Sequence, residues 1–211
     1  MEKETKLPYT KVMIDSKVLR KSVENIIILP EDYSTGREYP VLYLLLGAGN
    51  PLDSWVTLTS ICEYAMKFDM IIATPCNGWQ NRQSWYVDSP VLEHSAYETY
   101  VTGEFIEYMD SNYSTIKGKY GRAISGISMG GHGAFTLAAK HTDLYCSMSS
   151  FMGCMDLETW RGQGSWLYDS IAGALGEYKT NSALWKSNSA INLVHKFQGT
   201  DLKLKIICGN E

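Results

Sequence analysis

The sequence predicts an α/β fold built on a mostly parallel sheet with helices on both faces. Short apolar runs closed by glycine or proline, Val41 to Leu46 and Met70 to Thr74, have the make-up of strands buried on both faces of a sheet. Segments with helical spacing alternate with them, as in parallel-sheet proteins. No repeat, low-complexity tract or Pro/Ser-rich linker interrupts the 211 residues, so one domain over 1–211 is expected.

Lys11 to Ile14 and Ser22 to Leu29 are β-rich runs, the second closed by Pro30-Glu31-Asp32. Val41 to Leu46 ends at Gly47-Ala48-Gly49-Asn50, and Met70 to Thr74 ends at Pro75. Between them Asp53 to Lys67 has helical spacing, with Trp55, Leu58, Ile61, Cys62 and Ala65 on one side. Ser95 to Met109 is a stronger helix, since Tyr97, Val101, Phe105 and Met109 recur every fourth residue. Arg122 to Ser125 is a short strand running into glycines, and Gly131 to Lys140 is a helix. Cys146 to Phe151 and Leu202 to Cys208 are strands, and Leu167 to Leu175 and Ala190 to Phe197 are helical.

Composition narrows the function classes. Hydrophobic residues make up 45% and charged residues 20%, which excludes a disordered chain, and no apolar run reaches membrane-spanning length. The net charge is -4 with no basic run, which argues against nucleic acid as a partner. The five cysteines are never spaced CxxC, so zinc-ribbon and redox-dithiol readings fail. The first ten residues carry no charged-then-apolar leader. Either the protein is cytoplasmic or a leader is not part of this chain.

The most informative stretch is Gly126-Ile127-Ser128-Met129-Gly130-Gly131-His132-Gly133-Ala134, which contains G-x-S-x-G. At average glycine and serine usage that pattern arises by chance in roughly one chain of this length in fifteen, so its setting must decide. A short strand precedes it and an Ala/Leu-rich helix follows, the strand-turn-helix context of a nucleophile elbow. A serine in a strained turn tolerates only glycine two residues to either side, and the free N–H groups of the following helix point at a developing oxyanion. The competing reading, a phosphate cradle, lacks a P-loop lysine or a GxGxxG.

These residues resemble the elbow of the esterase D, feruloyl esterase and antigen 85 group of α/β-hydrolases. Tyr43-Leu44-Leu45-Leu46-Gly47-Ala48-Gly49-Asn50 followed by Ser54-Trp55 resembles the group's YLLHGxGG…SW segment. Ser84-Trp85-Tyr86-Val87-Asp88-Ser89-Pro90 with Tyr97-Glu98-Thr99-Tyr100 resembles its middle section, and Ile206-Ile207-Cys208-Gly209-Asn210-Glu211 its late strand end. The resemblance implies an α/β-hydrolase fold and an acyl-enzyme mechanism on Ser128, with backbone N–H groups of Met129 and Ala48 as the oxyanion hole and no metal or organic cofactor.

Two departures from the pattern carry expectations. Leu46 replaces the group's histidine before the glycine, which implies altered loop packing. The group's triad acid falls one residue past Glu211 and its histidine later, so both are expected beyond this chain, which is then C-terminally incomplete. Within the chain, His132 is expected to pack or hydrogen-bond locally on the elbow helix, His141 to cap that helix and His195 to lie at the surface. His94 is the one histidine with a route to a cleft, and Glu211 is a stand-in acid. Trp79, Trp85 and Tyr86, on loops, either stack on an aromatic acyl group or sugar or pack over the sheet. Asp156 reads as a structural turn residue. A lid-like insertion is expected around 155–190, with Trp160, Trp166 and Trp185 among Gly, Ser and Asn, as a seat of substrate selectivity.

The first reading is therefore a serine carboxylesterase acting on feruloyl, acetyl or short-chain acyl esters, small or carbohydrate-linked. A non-catalytic binding protein of the same fold and an acyltransferase with the same nucleophile are the alternatives. No nucleic-acid or membrane partner is expected, and self-association as a homo-oligomer stays open.

Overall fold

The computed structural model describes residues 8–79, 82–162 and 164–209. Seven strands form one sheet, β1 (Thr10–Ser16), β2 (Lys21–Ile28), β3 (Val41–Leu45), β4 (Ile71–Thr74), β7 (Arg122–Ile127), β8 (Ser147–Phe151) and β9 (Lys203–Ile207). Their order is β1-β2-β4-β3-β7-β8-β9. The first two strands run antiparallel and every pairing from β4 through β9 is parallel, so the sheet is mostly parallel, as the apolar runs imply. A separate two-stranded hairpin, β5 (Gly78–Trp79) with β6 (Arg82–Gln83), has no counterpart in the sequence reading.

The helical stretch expected from Asp53 to Lys67 is two helices, α1 (Ser54–Leu58) and α2 (Ile61–Phe68). Thr59 breaks it with an extended backbone (φ -139, ψ 168), its hydroxyl donating to Trp55 C=O and accepting from Ile61 N–H. A hydroxyl that serves backbone groups in this way offers the chain an alternative to the helical ladder. The expected helix from Ser95 is α3 (Tyr97–Thr99), a π-helical turn (Tyr100–Glu104) and α4 (Phe105–Asn112) in succession. The elbow helix α5 (Met129–Lys140) starts two residues earlier than its apolar pattern suggests. The 155–190 segment holds a 3-10 turn (Leu157–Trp160), α6 (Trp166–Leu175) and α7 (Tyr178–Asn188). The last was missed because its sequence is polar on most sides and only Trp185 and Asn188 are buried. Ala190–Phe197 is 3-10 rather than α-helical.

Alternation along the strands gives the sheet two unlike faces. On one, Tyr43, Leu45, Ile124 and Met148 join Phe105 and Met109 of α4 and Phe135, Leu137 and Ala138 of α5 in the main core. On the other, Ile26, Ile28, Leu44 and Ile72 pack on Ala65 of α2. That second cover stops short of β8 and β9. There Ser125, Ile127, Ser149, Phe151 and Ile207 border an open apolar groove of about 560 Å³. Helices thus lie on both faces, but the second face is covered over only part of its width. Among the described residues no helix is long and apolar enough to cross a membrane.

Candidate active site

Ser128 sits between the end of β7 and the first turn of α5 with φ 56 and ψ -119, a conformation that costs a non-glycine residue of order 1–3 kcal/mol. Its N–H is held by Phe151 C=O at 2.9 Å, and its C=O accepts the His132 N–H at 2.9 Å. The glycines of the motif are required by contact. A Cβ at Gly126 would lie 2.4 Å from Gly130 O, and one at Gly130 would lie 2.5 Å from Leu45 O. One at Gly131 would meet Ser150 Oγ at 2.8 Å, and one at Gly133 the Tyr86 ring at 2.5 Å. The elbow helix therefore lies against β3, β8 and the Tyr86 ring with no room for a methyl group, and this packing holds Ser128 in its strained turn.

The loop after β3 closes over the same point, since a Cβ at Gly47 would come within 3.4 Å of Ser128 Cβ. Leu46 itself is 1% exposed. Leu46 N–H donates to the Tyr86 hydroxyl at 2.9 Å, and that hydroxyl donates to Leu46 C=O at 3.1 Å. Gly49 N–H donates to Gln83 Oε1 at 3.1 Å, and Asn77 Nδ2 donates to Gly47 and Asn50 C=O at 3.4 and 3.3 Å. The N–H groups of Gly47, Ala48 and Met129 have no partner among the described residues. Two open amides on the loop and one at the start of α5 thus flank the half-buried Ser128.

None of the four imidazoles is hydrogen-bonded to Ser128 among the described residues. His132 is fully buried with Nε2 at 2.7 Å from Asn188 C=O and its ring edge-on to Trp85 at 5.3 Å, the local packing expected of it. Nε2 carries the proton in this contact, because a carbonyl only accepts. Burial, with a smaller push from the Lys140 charge, drives the His132 pKa down to about 4 against the hydrogen bond to Asn188. His141 ends α5 and lies 3.0 Å from Glu98, which Lys140 also contacts at 2.6 Å. Burial works to raise the Glu98 carboxyl, but the His141 hydrogen bond and the Lys140 charge hold it below its ordinary range. His94 pairs with its neighbour Glu93 at 3.0 Å, and His195 is exposed. Asp156 caps the 3-10 turn by accepting from Glu158 N–H at 3.0 Å. Glu211 lies outside the described residues, as does the side chain of Trp79.

Trp85 and Tyr86 require a correction. Both are 0% exposed, so neither offers a ring face to an acyl group or a sugar. Their backbones, at φ 51 and 54, turn the side chains inward. Trp85 Nε1 donates to Ser170 Oγ of α6 at 3.0 Å, and Tyr86 lies between α5 and the Leu46 loop. Asn77 and Gln83 were not singled out by sequence reasoning. No local signal marks them, because their partners lie about thirty residues away.

The profile of the Putative esterase family matches residues 16–210. Esterase MT1326 of Mycobacterium tuberculosis is 34% identical over 60% of this chain and 28% of its own length. The diacylglycerol acyltransferase/mycolyltransferase Ag85B of Mycobacterium leprae is 27% identical over 97% of this chain and 64% of its own length. This chain thus spans less than two thirds of either relative. Among solved structures, an S-formylglutathione hydrolase from Agrobacterium tumefaciens shares the fold with TM-score 0.78 at 18% identity, covering 97% of this chain and 88% of that one. The elbow follows β7, the fifth strand in the sheet order, and the profile runs almost from end to end: the chain belongs to the Putative esterase family.

Proposed function

We propose that this chain carries the nucleophile and oxyanion site of a serine carboxylesterase. Ser128 Oγ attacks the ester carbonyl while its proton passes to a base, and the carbonyl oxygen becomes an oxyanion held by the amides of Met129 and Ala48. Collapse of the tetrahedral species expels the alcohol, which takes up that proton, and leaves an acyl group on Ser128. Water, deprotonated by the same base, then attacks the acyl group; the Ser128–acyl bond breaks, Ser128 Oγ takes the proton back from the base, and the acid leaves. The observation that carries this reading is the Ser128 turn: a strained serine, glycines enforced by contact on both sides, and unpartnered amides beside it. Each oxyanion donor is worth roughly 3 kcal/mol of transition-state stabilisation.

The family resemblance assigns the base to a histidine oriented by an acid. Among the described residues none of the four imidazoles is hydrogen-bonded to Ser128. That same fact favours, as second reading, a binding protein with a silent elbow. The acyl group is feruloyl, acetyl or short-chain, small or carbohydrate-linked. Since Trp85 and Tyr86 are buried, selectivity falls to the 155–190 segment, where Trp160 and Trp166 are 42% and 63% exposed. The Ag85B relative, named as an acyltransferase, makes an alcohol acceptor a variant of the same chemistry.

Hydrolysis of p-nitrophenyl acetate and methyl ferulate is the test, run with this chain, with the full-length protein and with Ser128→Ala in each. Turnover by the full-length protein that Ser128→Ala abolishes establishes the esterase. Well-folded protein that is inert in both lengths establishes the binding reading. Product analysis with an added alcohol separates transfer from hydrolysis.

A further inference from the structure

The loop beside Ser128 is held from one direction. Among the described residues the side chains that bind its backbone, Asn77, Gln83 and Tyr86, lie on or beside strands β5 and β6. Asn77 and Ser84 close the base of that hairpin through Ser84 N–H to Asn77 C=O at 3.2 Å. The segment is fixed below by Trp85 and Tyr86, two bulky residues in succession at positive φ, which only firm packing sustains.

The three side chains between them hold successive peptide units of the loop. A trans peptide is planar, so its C=O and N–H point in opposite directions and holding one orients the other. The ladder of β3 ends with Leu45 opposite Gly126, and the next residue, Leu46, has no strand partner. The Tyr86 hydroxyl takes that place, accepting from Leu46 N–H and donating to Leu46 C=O. A hydroxyl can do both at once. With Leu46 C=O turned toward Tyr86, the Gly47 N–H is turned to the opposite side. Asn77 holds Gly47 C=O, which turns the Ala48 N–H away from the hairpin. Gln83 holds Gly49 N–H and so fixes the following peptide. On the loop, the Gly47 and Ala48 amides, whose direction the frame determines, have no partner among the described residues.

We propose that Asn77, Gln83 and Tyr86 are positioning residues, a frame that orients the loop after β3 so that the Ala48 amide serves, with that of Met129, as an oxyanion donor for Ser128. This rests on the acyl-enzyme reading above. Burial also raises the Tyr86 hydroxyl far above its ordinary pKa, so the proton given to Leu46 stays in place at every working pH.

The test compares Tyr86→Phe, Gln83→Met and Gln83→Glu with wild type and Ser128→Ala, all in the full-length protein, on p-nitrophenyl acetate. Tyr86→Phe removes both bonds to Leu46 and should lower kcat about 10- to 100-fold with KM within about threefold, the scale of a small misplacement at a reacting centre. Gln83→Met removes an acceptor near the surface and should lower kcat about threefold to tenfold. Gln83→Glu keeps the acceptor and should restore most of it, a rescue that a purely structural role would not show. Should Tyr86→Phe not fold, the Gln83 pair decides. An active wild type whose kcat is unchanged within twofold in Gln83→Met and in a folded Tyr86→Phe overturns the frame alone. A wild type no more active than Ser128→Ala overturns the acyl-enzyme reading, and the frame with it.

Discussion

Strands β8 and β9 lie side by side in parallel, with Met148 opposite Leu204 and Ser150 opposite Ile206. These four residues share one face of the sheet, yet Met148 and Ser150 are 0% exposed while Leu204 and Ile206 are 46% and 54% exposed. Composition runs the other way, since the buried strand reads Ser-Met-Ser-Ser-Phe and the exposed one Lys-Leu-Lys-Ile-Ile. The difference comes from α5, which lies on β8 so closely that a Cβ at Gly131 would touch Ser150 Oγ. Its cover does not extend to β9. Strand hydrophobicity marks a sheet, but the placement of the helix decides which part of that sheet is core, and the same helix holds Ser128 at its start.

The largest effect should come from forcing α5 off the sheet on its β3 side. Gly130→Ala drives a methyl group into the carbonyl oxygens of Leu45 and Leu46, which are backbone atoms and cannot rotate away. A loss of about 4 kcal/mol or more in chemical denaturation is expected, together with loss of Ser128 reactivity. A stable Gly130→Ala protein would mean that α5 stands farther from β3 than described. Next comes Met148→Ala, which empties a fully buried site and should cost about 2–5 kcal/mol.

The elbow was legible because its constraint is local in sequence. Gly126, Gly130 and the strand-to-helix change all fall within a few residues of Ser128, and the structure adds only the distances. The order of apolar runs likewise foretold a parallel sheet, because a strand buried on two faces has to be apolar throughout. For Trp85 and Tyr86 the sequence leaves substrate stacking and packing over the sheet both open, because the positive φ that turns both rings inward is a consequence of tertiary packing. The frame around Leu46 was invisible as well, since Tyr86 and Leu46 stand forty residues apart. Helix α7 escaped because its burial depends on one tryptophan rather than on an amphipathic stripe.

A smaller effect tests the link between α5 and α7. His132 is neutral in the folded chain, with its pKa pushed from 6.5 down to about 4 by burial, and its bond to Asn188 C=O joins the two helices. The unfolded chain takes up a proton below about pH 6.5 while the folded one resists until about 4. Stability from keeping this ring neutral is therefore fully present above pH 6.5 and is lost as pH falls toward 4, up to about 3 kcal/mol. His132→Gln keeps a donor for Asn188 but has no such titration. Urea midpoints at pH 7 and pH 4.5 should show the wild type losing ground to the variant on acidification. A constant gap between the two would show that the imidazole is not buried as described.

Leu204→Thr sharpens the contrast between the strands from its weak end. The side chain is nearly half exposed and β9 ends the sheet among the described residues, so a swap to a polar β-branched residue should change stability by less than about 0.5 kcal/mol. Met148→Ala, measured beside it in the same denaturant series, sets the scale for burial on that face. If the two losses were comparable, Leu204 would have to be covered in solution, and the midpoint should then depend on protein concentration for self-association. If they differ as expected, the stability of the sheet is concentrated under α5. Ser128 is then strained at the point where the molecule is best able to hold it.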